Sequence, residues 1–277
     1  DKLNNIILVP TDFSEVCENA MKQAAEAARF FKYELYLLHV IDKNTNAYLK
    51  HEGVGIETIY LRLQEMADKL KAEFGIEVKI KAEDGDIFTT IKSVAEHLGV
   101  KLVYLGTHGK IGMQKLTGSF ALKVITESPA PVIVVQKRKF DNGFQNIVLP
   151  ITSDSGPWEK TIWASFMAKQ LNGKVHLMSI PGKAIEETTQ MLTKYFDEHK
   201  VEYTLTTVDK PANFSQQVID FATSNNFDLI MIMTNPDTSW TKYLLGSYDE
   251  AIIFNTSQIP VMCINPRKYN WEKIIKY

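Results

Sequence analysis

The chain runs through one series of elements twice, and this constrains its fold more than any single motif. NNIILVP (4–10) and QNIVLP (145–150) are apolar runs ending on a proline, and each leads into a segment with apolar residues at helical spacing. GSFALKVITESPAPVIVVQ (118–136) returns as GSYDEAIIFNTSQIPVMCIN (246–265), keeping Gly-Ser, a helical segment, an Ala- or Ile-Pro step and a final apolar strand. The period is about 130 to 140 residues, enough for each copy to bury its own core, so the pattern predicts two complete domains and not a solenoid.

Within the first copy, strands are expected at 4–10, 34–42, 76–83, 102–106 and 132–135. Between them, the spacing predicts a helix capped by Ser14 and ending near Phe31, a second over Ile56–Phe74, a third from the Asp86 cap to about His97, and a fourth opened by Ser119. KNTNAYLKHEGVG (43–55) is polar and irregular and reads as a lid over a site. Strict alternation of strand and helix predicts a parallel sheet with helices on both faces. KRKFDNG (137–143) is a polar, turn-prone linker, so the expected domains span 1–138 and 144–277. The fold class is α/β: two tandem open-sheet domains, each a mainly parallel five-stranded sheet. In the closing PRKYNWEKIIKY (266–277), Trp271, Ile274 and Ile275 share a helical face expected to dock on its own domain.

With 31 Lys and Arg against 33 Asp and Glu, the formal charge of −2 offers no global attraction for nucleic acid or an anionic membrane, although a local basic pocket stays open. Cys17 and Cys263 make no metal-ligand spacing and read as reduced, structural thiols. No signal peptide and no spanning apolar run is recognised, so the expected location is cytoplasmic.

The stretch 101–136 carries the chemistry. LVYLG suits a strand buried on both faces, and THGKIGMQKLTGS follows, with glycines at Gly106, Gly109, Gly112 and Gly118. Repeated glycines between strand and helix can turn several N–H groups toward an anion, and the helix start at Ser119 favours phosphate, with Lys110 and Lys115 adding charge. On this pattern alone, a phosphate cradle and a flexible glycine-rich turn both stand. No Walker A sequence occurs.

The chain resembles the universal stress protein family in its tandem two-domain form, most specifically in IILVPTDFSE, LLHVID, GTHGKIGMQKLTGS and SPAPVIVV. The resemblance implies an adenine nucleotide alpha hydrolase-like fold and, in the first domain, a site for ATP with Mg²⁺ on the triphosphate. It places Thr11 and Asp12 beside the adenosine, the Val40 backbone against adenine, Gly106 and Gly109 near ribose and phosphates, and Lys110, Gly118 and Ser119 on the phosphates. The family's ATP-binding members carry Gly-x2-Gly-x9-Gly-Ser/Thr; here eight residues, 110–117, separate Gly109 from Gly118. From the residues alone, Asp12 also fits a helix-capping or turn aspartate and Val40 a core valine, while His39 reads as a packed or hydrogen-bonded core residue. A catalytic role for His108 is not favoured, because it follows the family's habitual loop sequence.

The second copy departs from this pattern. Thr152 stands at Asp12, Ser179 is aligned with Val40, Met233 and Pro236 replace Gly106 and Gly109, and only Gly246-Ser247 survives. The expectation is a degenerate structural partner. Three functions follow: an ATP-binding stress-response regulator, a nucleotide-free scaffold acting through unknown protein partners, and a slow ATP hydrolase, for which no acid, base or metal cluster is arranged. The family's pairing through last strands implies that 132–135 and 261–264 pair as an internal pseudo-dimer, with a further homodimer left open.

Overall fold

The computed structural model describes residues 2–107, 118–139, 143–152, 158–236, 243–244, 247–266 and 270–275. It separates into two compact units, Asp1–Asp141 and Asn142–Tyr277.

In the first unit the elements follow as β1 (Ile6–Pro10), α1 (Glu15–Phe31), β2 (Glu34–Ile41), α2 (Lys43–Glu52), α3 (Glu57–Phe74), β3 (Val78–Asp84), α4 (Ile87–Leu98), β4 (Leu102–Gly106), α5 (Gly118–Glu127) and β5 (Val132–Val135). The strands line up as β3-β2-β1-β4-β5, every neighbour parallel. Strands β1, β4 and β5 are buried along their whole length, as continuous apolar runs covered on both faces must be. Helices α1 and α3 pack together on one face, α4 and α5 on the other. Alanines 20, 24, 25, 27 and 28 make the buried stripe of α1 thin, which lets this helix lie close on β1 and β4. Ser14 caps α1 through the Cys17 N–H, and Asp86 caps α4 through the N–H groups of Phe88 and Thr89.

The segment expected to be an irregular lid is a helix. Asp42 accepts from the N–H groups of Asn44 and Thr45 and so starts α2, and Gly53 closes it in the left-handed region. Only Thr45 and Leu49, one turn apart, are buried in α2, so its sequence shows almost no amphipathic stripe.

The second unit repeats the order: β6 (Asn146–Ile151), α6 (Trp158–Leu171), β7 (Lys174–Ser179), α7 (Lys183–Glu198), β8 (Glu202–Thr207), α8 (Phe214–Ser224) and β9 (Leu229–Met233). A short antiparallel pair follows, β10 (Asn235–Pro236) with β11 (Tyr243–Leu244), then α9 (Ser247–Ile253), β12 (Val261–Ile264) and α10 (Trp271–Ile274). Its sheet order is β8-β7-β6-β9-β12, again parallel. Residues 160–168 of α6 are all buried, and both α7 and α10 pack on the helix beside its contacts with the sheet. Trp271 meets Trp163 edge-on with ring centroids 5.2 Å apart, the docking expected of the closing segment. The α/β fold with mainly parallel sheets is as the sequence predicts.

Candidate functional site

A proline opens the first sheet where a ligand would enter. Backbone groups alternate sides along a parallel strand. The Thr11 N–H donates to Leu38 O at 2.8 Å, and the Lys101 N–H donates to Ile6 O at 3.1 Å, so odd residues of β1 face β2 and even ones face β4. Pro10 falls on the β4 side and has no N–H to give. Accordingly β1 pairs with β4 at Ile7–Leu102 and Leu8–Val103, whereas it stays paired with β2 through Pro10–Leu38. The carboxyl ends of β1 and β4 part at the place where strand order reverses, the switch point at which open α/β sheets take ligands.

The turn after β1 is wound by its own side chains. Thr11 Oγ1 accepts from the Phe13 N–H at 3.0 Å and Asp12 Oδ1 from the Ser14 N–H at 2.9 Å. Both residues are buried, and Asp12 is 2% exposed. Asp12 thus fills the turn role that its residue type allows, while Ser14 caps α1. Phe13 sits at φ 65, a left-handed conformation that costs a non-glycine residue ~1–2 kcal/mol. Its ring is held by stacking on His39 at 4.8 Å and by the Arg62 guanidinium 4.3 Å from its centre.

His39 ties this turn to its neighbours. Its Nδ1 lies 2.8 Å from Thr11 O and its Nε2 2.9 Å from Thr45 Oγ1. A carbonyl only accepts, so Nδ1 carries the proton and Nε2 accepts from the Thr45 hydroxyl. Burial, the largest influence, lowers the His39 pKa, with the Thr11 carbonyl, Asp42 and Asp12 acting the other way. The ring is a buried, hydrogen-bonded bridge from β1 to α2, as its strand position suggests. Val40, next along, is a buried core residue whose carbonyl accepts from the Asp42 N–H at 3.1 Å.

At β4 the geometry gives Gly106 a role the sequence reading did not assign. A Cβ there would meet the Val16 carbonyl oxygen at 2.9 Å and the Cys17 Cα at 3.1 Å, so glycine is what lets α1 approach the strand. Helix α5 starts at Gly118, which brings the residue expected to cap it, Ser119, into its first turn. Gly109, Lys110 and His108 lie outside the described residues. Sequence reasoning missed Phe13, Arg62 and Thr45; neither the backbone conformation of the first nor the partners of the others leave a local signal. Cys17 is buried, and burial first, then the Asp12 charge, pushes its pKa up to about 12, which makes it an inert packing thiol.

In the second unit strand pairing corrects one alignment. Pro10 faces Leu38 and Pro150 faces Met178, so Ser179 stands at the register of His39, and Ile180 at that of Val40. Ser179 shares a hydrogen bond with Thr207 at 3.1 Å. Met233 faces Ile264 as Gly106 faces Val135, which confirms that pair, and Thr152 is exposed.

These features define a doubly wound, open-sheet α/β protein with a strand-end split at the proline of each unit. The model of the Universal stress protein family matches residues 4–136. Universal stress protein MJ0531 of Methanocaldococcus jannaschii is 33% identical over 146 residues, 50% of this chain and 86% of that protein. Universal stress protein MJ0577 of the same organism is 31% identical over 156 residues, 48% of this chain and 94% of its own length. The crystal structure of a universal stress protein from Archaeoglobus fulgidus shares the fold across 95% of this chain and 98% of that one, with a TM-score of 0.74 at 20% identity. The chain belongs to the universal stress protein family.

Proposed function

We propose that the chain is a stress-response regulatory protein in tandem form: its first unit binds ATP at the split between β1 and β4, and its second is a degenerate domain of the same kind. The observation that carries this reading is the Pro10 break in the ladder. It opens the sheet beside the buried Asp12 and on the strand edge from which β4 runs toward the start of α5. An α-helix start favours phosphate through its N–H groups and dipole. Thr11, Asp12 and the Val40 backbone are proposed for the nucleoside, and Gly106, Gly109, Lys110, Gly118 and Ser119 for the phosphate chain. Among the described residues no cluster of His, Cys, Asp or Glu is set to hold a metal ion. In this reading Mg²⁺ arrives on the nucleotide's phosphates, as it commonly does.

A nucleotide-free scaffold is the second reading, supported by the loop that is one residue shorter than the family's ATP-binding pattern. Calorimetric titration of MgATP into the protein and into a Gly109→Asp variant separates the two. One site per chain, lost in the variant, supports the regulator; no binding to the parent at millimolar MgATP favours the scaffold. Among the described residues no helix is long and apolar enough to cross a membrane.

A further inference from the structure

In each unit the chain that leaves the last strand folds back onto the first helix, and the two units hold it by different chemistry. In the second the hold is apolar: Trp163 of α6 meets the buried Trp271 of the closing segment. Trp163 stands as far from Pro150 as Gln23 of α1 stands from Pro10. In the first unit Gln23 and Asn19, one turn before it, hold the chain with amides. Asn19 Nδ2 donates to Gln136 O at 2.8 Å and to Arg138 O at 2.9 Å, and Gln23 Nε2 donates to Arg138 O at 3.4 Å. Gln23 Nε2 also donates to Asn19 Oδ1 at 3.5 Å, which sets the orientation of the Asn19 amide.

These bonds fix the first residues of the linker after β5. Two carbonyls accept from the two N–H groups of one side chain, so residues 136–138 bend toward α1. Lys137, Arg138 and Lys139 are exposed, so what the helix holds is backbone. Neutral amide bonds at a half-exposed residue such as Asn19 are individually weak, and unlike a buried tryptophan pair they can part without unfolding the unit. The same helix begins at the strand-end split. The Ser14 N–H donates to Asp12, Ser14 caps α1 through the Cys17 N–H, and a Cβ on Gly106 of β4 would meet Val16 O at 2.9 Å. Asn19 comes one turn after Val16, so a single stretch of helix touches the split at one end and the linker at the other.

We propose that Asn19 and Gln23 form a latch on the linker: they hold residues 136–138 against α1 while the start of the helix is in place, and release them when it loosens. The state of the strand-end split is thereby passed to the basic run that leads out of the first unit. That ATP is the ligand which tightens the start of α1 rests on the function proposed above; the latch itself does not.

The test is limited trypsin digestion of the full chain, with cleavage after Lys137, Arg138 and Lys139 followed by mass. Asn19→Asp keeps the shape of the side chain but turns an oxygen toward the two carbonyls, and it is expected to raise cleavage there about tenfold while Lys92 within α4 is cut as in the parent. Ser14→Ala frays the start of α1 and is expected to raise the same cleavage about threefold, with no further rise when it is combined with Asn19→Asp. Unchanged cleavage in Asn19→Asp, or effects of the two changes that multiply, would overturn the latch. Faster cutting at Lys92 as well would make Asn19 a contact for the whole unit and overturn it too. If Asn19→Asp does not fold, Asn19→Ala removes the same two bonds and is read in the same way. MgATP, once bound, is expected to slow the linker cleavage of the parent about threefold and to leave Asn19→Asp unchanged; bound MgATP without that effect overturns the coupling. Calorimetry reads binding separately: without it the nucleotide reading fails, and the Ser14→Ala and Asn19→Asp combination alone decides the latch.

Discussion

Both halves cut the same ladder with a proline at the same position, yet they furnish the resulting gap differently. In the first unit Ala20 and Ala121 are fully buried, the strand edge is Gly106, and His39 braces the turn that holds Asp12. In the second, the corresponding positions carry Lys160, Asp249, Met233 and Ser179, and the lysine bonds the carbonyl that the break exposes. The backbone design is shared while the side chains around it differ, so the same open-sheet fold stands on either set.

The most direct way to break the comparison is to transplant it. Ala20→Lys with Ala121→Asp gives the first unit the buried charges of the second. Ala20→Lys alone buries an ammonium at a position that alanine fills with no exposure and is expected to cost about 3–5 kcal/mol in urea unfolding. If the folded double variant matches the parent's midpoint, the first unit tolerates the second's side chains and the contrast between the units lies elsewhere.

The charge in the second unit also leaves a mark on the pH dependence of stability. Lys160 titrates at about 8 when folded against 10.5 when unfolded. Between those values the unfolded chain holds the extra proton, so this residue's contribution to stability rises as pH climbs from 8 to 10.5. The swing is about 3 kcal/mol and disappears in Lys160→Met. Buried tyrosines and cysteines with raised pKa values pull the other way over the same range, so the quantity to measure is the difference between parent and variant in urea titrations. At the strand edge, Gly106→Ala is expected to cost about 2 kcal/mol, since the atoms that its Cβ meets are backbone and cannot swing away. A neutral outcome in thermal unfolding would mean that α1 can move off β4 more easily than its close approach suggests.

The strands and most helices were legible in the sequence because their signals are local: apolar runs for buried strands, Ser14 and Asp86 as caps, and the helical spacing of Trp271 and Ile275. What stayed hidden depends on distant partners. Helix α2 escaped notice because only two of its residues are buried. Lys160 and Asp249 each look like ordinary solvated charges until the fold buries them. The match of Ser179 to Val40 slipped by one residue because identity at a strand end is set by pairing register, which similarity of apolar runs does not define. Gly106 was legible as a residue needing close approach, but the approaching group in the structure is a helix backbone.

The smallest expected effect concerns His39, whose place the second unit gives to a serine. His39→Gln keeps a polar side chain, but it cannot span from Thr11 O to Thr45 Oγ1 as the ring does, so one buried hydrogen bond is lost at about 1 kcal/mol. The pH profile is the sharper readout. Burial holds the folded pKa of His39 below its unfolded value of 6.5, so below pH 6.5 the unfolded chain takes up the proton first and the parent loses stability as pH falls. Asp12 and Asp42 favour the charged ring and Arg62 disfavours it, which limits the size of the effect without changing its sign. His39→Gln is expected to flatten that part of the parent's acid limb. A variant that keeps the full slope would show that the brace does not titrate and that another group governs the acid sensitivity of the first unit.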